Sequence, residues 1–186
     1  MSRTDRESSF KLTRANLAAH NKSPKDNEGS GAALYSPAER RRRDDTRWTL
    51  VQGILAPIQF VVFLISLALV VRTLTTGEGG FAADVSIVIK TLVLYAIMIT
   101  GSIWEKVVFG KWLFAPAFFW EDAFSMAVLA LHTLYLVMLF GGIGTMEQRM
   151  LVALAAYAAY VINAAQFLWK LRMARLQRQA PEAVPA

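Results

Sequence analysis

Trp48-Thr49-Leu50-Val51-Gln52-Gly53-Ile54-Leu55-Ala56-Pro57-Ile58-Gln59-Phe60-Val61-Val62-Phe63-Leu64-Ile65-Ser66-Leu67-Ala68-Leu69-Val70-Val71 contains no charged side chain. At 1.5 Å per residue its roughly 24 residues exceed the ~20 that carry a helix across ~30 Å of hydrocarbon. A tilted membrane helix is therefore expected, because a helix satisfies its own backbone polar groups in lipid. Pro57 lies inside it, where a membrane helix tolerates proline with a kink. Gln52, Gln59 and Ser66 recur every seven residues and so share one face.

Three further spans follow, about 84–108, 117–140 and 147–169, joined by the glycine-rich Thr75-Thr76-Gly77-Glu78-Gly79-Gly80, by a Phe109–Pro116 turn and by Gly141-Gly142-Ile143-Gly144. In the second span Thr91, Tyr95, Met98, Ser102 and Glu105 step by fours and threes, a polar stripe on one helical face. In the third, Glu121, Ser125 and His132 lie close to one face, with Glu121 and His132 about 16 Å apart along the axis. The fourth is rich in alanine, which permits close helix approach, and carries Asn163 and Gln166 three apart.

Upstream, 35–47 opens on Ser36-Pro37-Ala38-Glu39, a capping box with proline at the first helical position, and continues into Arg40–Arg43. This predicts a short basic helix on the headgroups. Residues 1–34 have no apolar periodicity and are expected to form a disordered basic tail, as are 179–186 at the other end. The tail is no signal peptide, since its first hydrophobic run comes too late. Lysines and arginines accumulate before the first span, in the second connection and after the fourth (Lys170, Arg172, Arg175, Arg178), which places both termini in the cytoplasm. The expected fold is all-α, an integral membrane antiparallel four-helix bundle over 48–178 with a disordered N-terminal tail.

Composition agrees: 55% of the 186 residues are hydrophobic, too many for a soluble domain of this length. The absence of cysteine excludes disulfides, thiolate metal sites and a cysteine nucleophile. The net charge of +6 lies beside hydrophobic spans, so anionic lipid is the simpler partner and nucleic acid is not implied.

An ionisable group in a membrane helix calls for an explanation. Glu105, Glu121 and Asp122, at the second connection, can form a general acid/base set, or can snorkel with salt bridges to Lys106 or Lys111. His132 can ligate the metal of a bound tetrapyrrole or pass protons, or can bond a neighbouring helix; with no second ligand at metal spacing, a metal held by the protein alone is not expected. Lys90, near the estimated end of the second span, is expected to snorkel outward. His20 in the tail receives no role. Gln52, Gln59, Tyr95, Ser102, Ser125, Asn163 and Gln166 serve as interhelical hydrogen bonders or touch a ligand. Trp104, Phe109, Trp112, Phe114, Phe118, Phe119 and Trp120 read as an interfacial belt, dense enough to offer a platform to a flat amphipathic ligand.

Longer runs carry a resemblance: Tyr35-Ser36-Pro37-Ala38-Glu39-Arg40, Trp48 through Pro57, Ile103-Trp104-Glu105-Lys106-Val107-Val108-Phe109-Gly110, Leu113 through Asp122 with Phe124-Ser125-Met126, Leu129-Ala130-Leu131-His132-Thr133, and Asn163-Ala164-Ala165-Gln166-Phe167. From about 35 to 178 the chain resembles the 3-vinyl bacteriochlorophyllide hydratases of bacteriochlorophyll biosynthesis. The resemblance implies a multi-pass enzyme of the bacterial inner (intracytoplasmic) membrane that adds water to the C3 vinyl group of a magnesium chlorin or bacteriochlorin, without a redox cofactor. Other pigment-biosynthesis enzymes are its implied partners. It supplies no catalytic residues. On chemical grounds Glu105 and Glu121 are expected as acid and base, helped by Asp122, with His132 as an axial ligand of the substrate magnesium and Gln52, Gln59, Tyr95, Ser102, Ser125, Trp104, Trp120, Asn163 and Gln166 around the pigment. The rival from another class is a non-catalytic membrane protein that binds pigment or hands it on during assembly; a small transporter is a weaker third, because the chain lacks a repeated half.

Overall fold

The computed structural model describes residues 34–179. The expected disordered segments, apart from Leu34 and Gln179, and His20 lie outside the described residues. Among the described residues the chain forms five helices and no strand: α1 (Pro37–Asp45), α2 (Arg47–Thr76), α3 (Gly80–Phe109), α4 (Phe119–Phe140) and α5 (Met146–Gln179).

The last four are long and apolar enough to cross a membrane. Less than a third of each apolar stretch is buried in the protein, between 17% and 28%, so most of it, including Leu50, Ile54, Val61 and Leu64 on α2, faces outward. Such a surface suits hydrocarbon, where apolar side chains need no cover. The inward residues of α2 are Gln59, Phe63, Ser66, Val70 and Thr73, stepping by four and three. That stripe is more polar than the lipid face.

Cross-helix hydrogen bonds fix the order. Gln52 Nε2 donates to Thr100 Oγ1 (2.7 Å) and Ser66 Oγ meets Ser86 Oγ (2.7 Å), pairing α2 with α3 as an antiparallel hairpin closed by Gly77 and Gly79, both in the left-handed region (φ 71° and 80°). Asn163 Nδ2 donates to Ser125 Oγ (2.8 Å) and pairs α4 with α5. Ser66 Oγ also meets Tyr157 Oη (2.5 Å) and Phe63 packs on Tyr160 with centroids 5.0 Å apart, joining α5 to α2. The four spans thus form a closed antiparallel bundle around Phe63, Val70, Ile87, Tyr135, Met150 and Tyr157. At the end where α3 begins, Tyr135 donates to Asp84 Oδ1 (2.5 Å), and Arg149 lies 3.8 Å from the same carboxylate.

The opposite end, where α3 finishes and α4 starts, is roofed by α1. Ser36 caps it: the Glu39 N–H donates to Ser36 Oγ (3.3 Å) and the Ser36 N–H to Glu39 Oε2 (2.7 Å). These bonds, the backbone one first, hold the Glu39 carboxyl below its ordinary value. Arg42 Nε donates to the Val108 carbonyl (2.8 Å), one of the orphan acceptors at the end of α3, where a cation also suits the helix dipole. The Arg43 guanidinium lies 4.7 Å from the Tyr35 ring centroid.

The core corrects one expectation. Lys90 does not snorkel: it is fully buried, with Nζ 2.8 Å from His132 Nε2 and 4.4 Å from the centroid of the Tyr160 ring. Because α3 begins at Gly80, Lys90 stands about 15 Å inside the helix, beyond the reach of its stem to either surface.

Candidate active site

The interior face of α3 passes through Leu94, Glu105 and Val108, so Glu105 enters the bundle one turn before the helix ends at Gly110. Across the 110–118 connection, Glu121 and Asp122 occupy the first turn of α4, where the positive end of the helix dipole favours carboxylates. All three are buried; Glu105 and Asp122 are each 5% exposed. Burying three acids at one helix junction requires donors, and the connection supplies two.

Phe114 has φ 57°, left-handed backbone in a bulky residue, a conformation that costs on the order of 1–3 kcal/mol and marks sites where the surroundings enforce it. The turn aims successive amides inward: the Phe114 N–H donates to Asp122 Oδ2 at 2.7 Å and the Ala115 N–H to Glu105 Oε2 at a long 3.4 Å. Glu105 and Asp122, taken up by successive amides of one turn, lie close enough to interact electrostatically.

Glu121 belongs to a different unit. Its Oε2 accepts from Lys170 Nζ of α5 at 2.7 Å, and the same ammonium lies 5.0 Å from the Phe118 ring centroid. The structure therefore joins Glu105 to Asp122 rather than to Glu121. The salt-bridge partners expected for this trio, Lys106 and Lys111, are not the ones found: Lys106 Nζ donates to Gly110 O (2.9 Å), and Lys111 is exposed. A double-mutant cycle over Lys170→Met and Glu121→Gln is expected to give a coupling of about 0.5–3 kcal/mol in detergent unfolding, since each single change strands its partner.

Around the carboxyls the expected aromatic belt divides. Trp104, Phe109 and Phe118 turn inward with Tyr35 and Phe167: the ring centroids of Trp104 and Phe118 are 5.8 Å apart, and those of Phe118 and Phe167 5.9 Å. Trp104 Nε1 donates to Thr49 Oγ1 (2.9 Å), which itself bonds the Arg43 carbonyl. Phe119 and Trp120 turn outward, and Trp120 is 69% exposed.

The remaining sequence candidates separate by depth and face. Ser125 and Asn163 bond each other in the interior, and Gln59 is buried on the inward face of α2. Gln52 is taken up by Thr100, Tyr95 Oη by Thr133 Oγ1 (2.8 Å), and Ser102 bonds the Ile99 carbonyl of its own helix (2.9 Å). His132 lies about 15 Å along α4 from Asp122. Its Nδ1 donates to the Val128 carbonyl (2.8 Å) and Nε2 takes Lys90, so both ring nitrogens are engaged within the bundle. Sequence reasoning passed over Lys170, Tyr35 and the 114–115 amides. Phe114 sits in an extended aromatic run with no glycine to mark the turn, and Lys170 meets Glu121 across 49 positions.

Phe114→Gly is expected to melt close to the wild type, because glycine adopts φ 57° freely. Phe114→Val, β-branched, is expected to melt earlier, by a loss on the order of 1–3 kcal/mol. Thermal unfolding of the two variants in one detergent distinguishes the backbone from the ring.

Residues 35–173 match a family model described as 2-vinyl bacteriochlorophyllide hydratase. A 2-vinyl bacteriochlorophyllide hydratase of Rhodobacter capsulatus is 66% identical over 154 residues, covering 83% of this chain and 90% of that protein. One of Cereibacter sphaeroides is 67% identical over 149 residues, covering 80% and 92%. No solved structure matches the chain. With the matched region taking in Glu105, the Phe114 turn, Asp122 and Lys170, and with identity at this level along nearly the whole of both relatives, the chain belongs to the 2-vinyl bacteriochlorophyllide hydratase family.

Proposed function

We propose that the protein is a hydro-lyase acting in the hydration direction on the vinyl group of a magnesium (bacterio)chlorin, with Glu105 and Asp122 as its acid/base pair. Position 2 and position 3 name the same vinyl substituent in two numberings of the macrocycle. The observation that supports the residue assignment is the buried carboxyl pair on facing helices, fed by two successive amides.

The chemistry needs little more. A carboxylic acid delivers its proton to the terminal carbon of the vinyl group, and the π electrons form the new C–H bond. Positive charge develops on the carbon next to the ring, where the macrocycle delocalises it and the carboxylates Glu105, Asp122 and Glu121 oppose it. Water attacks that carbon while the carboxylate of the pair takes its proton, giving the 1-hydroxyethyl group and restoring one proton to two carboxyls. The sum is one water added and nothing oxidised or reduced.

Lys170 supports the division of labour by neutralising Glu121, so that three acids at one site do not all compete for protons. The inward rings Trp104, Phe109 and Phe118 give the flat pigment an apolar wall. The end carrying α1 faces the cytoplasm, with Arg40, Arg41, Arg47 and Lys111 exposed there toward lipid headgroups; the inner membrane and other pigment-biosynthesis enzymes are its setting.

Purified protein given vinyl pigment in oxygen-18 water tests the reaction. One heavy oxygen per hydroxyethyl product is expected. Tight pigment binding with no label in the pigment would instead make the protein a carrier.

A further inference from the structure

The site needs a second substrate, water, inside a bundle whose outer surface is apolar. One group of buried side chains is left over by the packing and by the acid/base pair. Gln59 is 1% exposed, and neither its Nε2 nor its Oε1 has a hydrogen-bond partner among the described residues. The same holds for Oδ1 of Asn163, itself 9% exposed, and for Oε1 of Gln166. A buried amide without a partner is destabilising, and native proteins meet that need with a neighbour, a ligand or ordered water.

Register places these amides together. Ser66 meets Tyr157, and Phe63 meets Tyr160, so the next rung of the α2–α5 pair brings position 59 beside positions 163 and 164. Asn163 in turn bonds Ser125, one turn or about 5 Å along α4 from Asp122. Gln166 lies a turn from Lys170, the partner of Glu121. The amides therefore sit just beneath the carboxyl pair, on the bundle side.

Their chemistry indicates the occupant. The unpaired atoms are three carbonyl acceptors and a single NH2 group. A vinyl group offers no hydrogen bond, and the carbonyls of a chlorin macrocycle are acceptors that would face acceptors here. Water donates two hydrogen bonds and accepts two, and two to four polar partners are what a buried water requires.

We propose that Gln59, Asn163 and Gln166 form a binding site for the co-substrate water, holding it beneath the Glu105–Asp122 pair on the path to the developing cation. The inference rests on the hydratase reading. An amide site that orders the nucleophile contributes to turnover without gripping the pigment.

Two measurements on the full-length protein in detergent test it. Gln59→Leu and Gln166→Leu are expected to lower kcat at least tenfold with KM for the pigment within twofold of wild type, and without a fall in melting temperature. Wild-type kcat in both variants, or a raised KM with kcat unchanged, would overturn the site. Should Gln59→Leu fail to fold, Gln166→Leu carries the kinetic test. Independently of activity, radiolytic hydroxyl labelling is expected to oxidise the buried Phe63 and the adjacent Tyr160 of the wild type several-fold faster than the buried Tyr135. Equal, slow labelling would mean a dry interior and overturn the site. Wild-type protein that incorporates no oxygen-18 would fail the hydratase reading itself, a result the labelling experiment does not depend on.

Discussion

Glu105→Gln is expected to lower the hydration rate by about 10²–10⁴-fold, and Asp122→Asn by a similar factor, the range that a positioned acid or base supplies. Glu105 and Asp122 stand near each other across the α3–α4 junction, where they accept hydrogen bonds from the successive amides of Ala115 and Phe114. An amide at either position keeps size and burial but cannot pass a proton, so one substitution disables both halves of the cycle. The double variant should accordingly be little slower than either single one, because residues acting as a unit are not additive. Glu121→Gln contrasts with them: its carboxylate is held by Lys170 at 2.7 Å, and the expected loss is under about tenfold, through weaker stabilisation of developing charge. Pigment turnover in solubilised protein, read beside the far-ultraviolet spectrum of each variant, separates these outcomes. Full rate in both Glu105→Gln and Asp122→Asn would remove the acid/base assignment.

How far the sequence reveals this site depends on which interactions are local. Membrane helices are legible because a run such as Trp48–Val71 has one solution in lipid, and the α1 cap is legible because Ser36 and Glu39 are three apart. The acids were legible as exceptions to an apolar background. Their pairing was not, since Glu105 could meet Glu121 or Asp122 with equal ease until a turn at Phe114 set which carboxyl its amide would take. Trp104-Glu105 and Trp120-Glu121 look like echoes in the sequence, yet Trp104 points in and Trp120 out, because one precedes a helix end and the other begins a helix. The stripe Thr91, Tyr95, Met98, Ser102 and Glu105 follows a 3.5-residue period. An α-helix of 3.6 drifts from it, and the buried positions include Lys90 and Leu94 while Tyr95 and Ser102 sit at the margin. Lys90 was misjudged for a related reason: its depth depends on where α3 begins, and Gly80 starts the helix about a turn before the apolar run.

That buried lysine leads to the largest expected effect on stability. His132→Leu leaves the Lys90 amine without its acceptor in the middle of the bundle, which should lower stability by about 1–3 kcal/mol if the amine is neutral and about 3–5 if it is charged. The surrounding rings of Phe63, Tyr157 and Tyr160, 5.9, 5.1 and 4.4 Å from Nζ, offer their faces to a cation but accept no strong hydrogen bond, so they cannot replace the imidazole. Lys90→Met keeps the stem volume and removes the donor, and should be milder. It leaves His132 Nε2 without its donor, while Nδ1 keeps the Val128 carbonyl. The double variant Lys90→Met, His132→Leu should regain most of what His132→Leu loses, because replacing both partners of a buried polar pair by apolar side chains leaves no group unsatisfied. Thermal or denaturant unfolding of the four proteins in one detergent gives the coupling directly. With both residues about 15 Å or more along their helices from the carboxyl pair, the folded double variant should hydrate pigment at close to the wild-type rate. A rate lost in that variant while its fold persists would move Lys90 and His132 from the bundle's architecture into its chemistry.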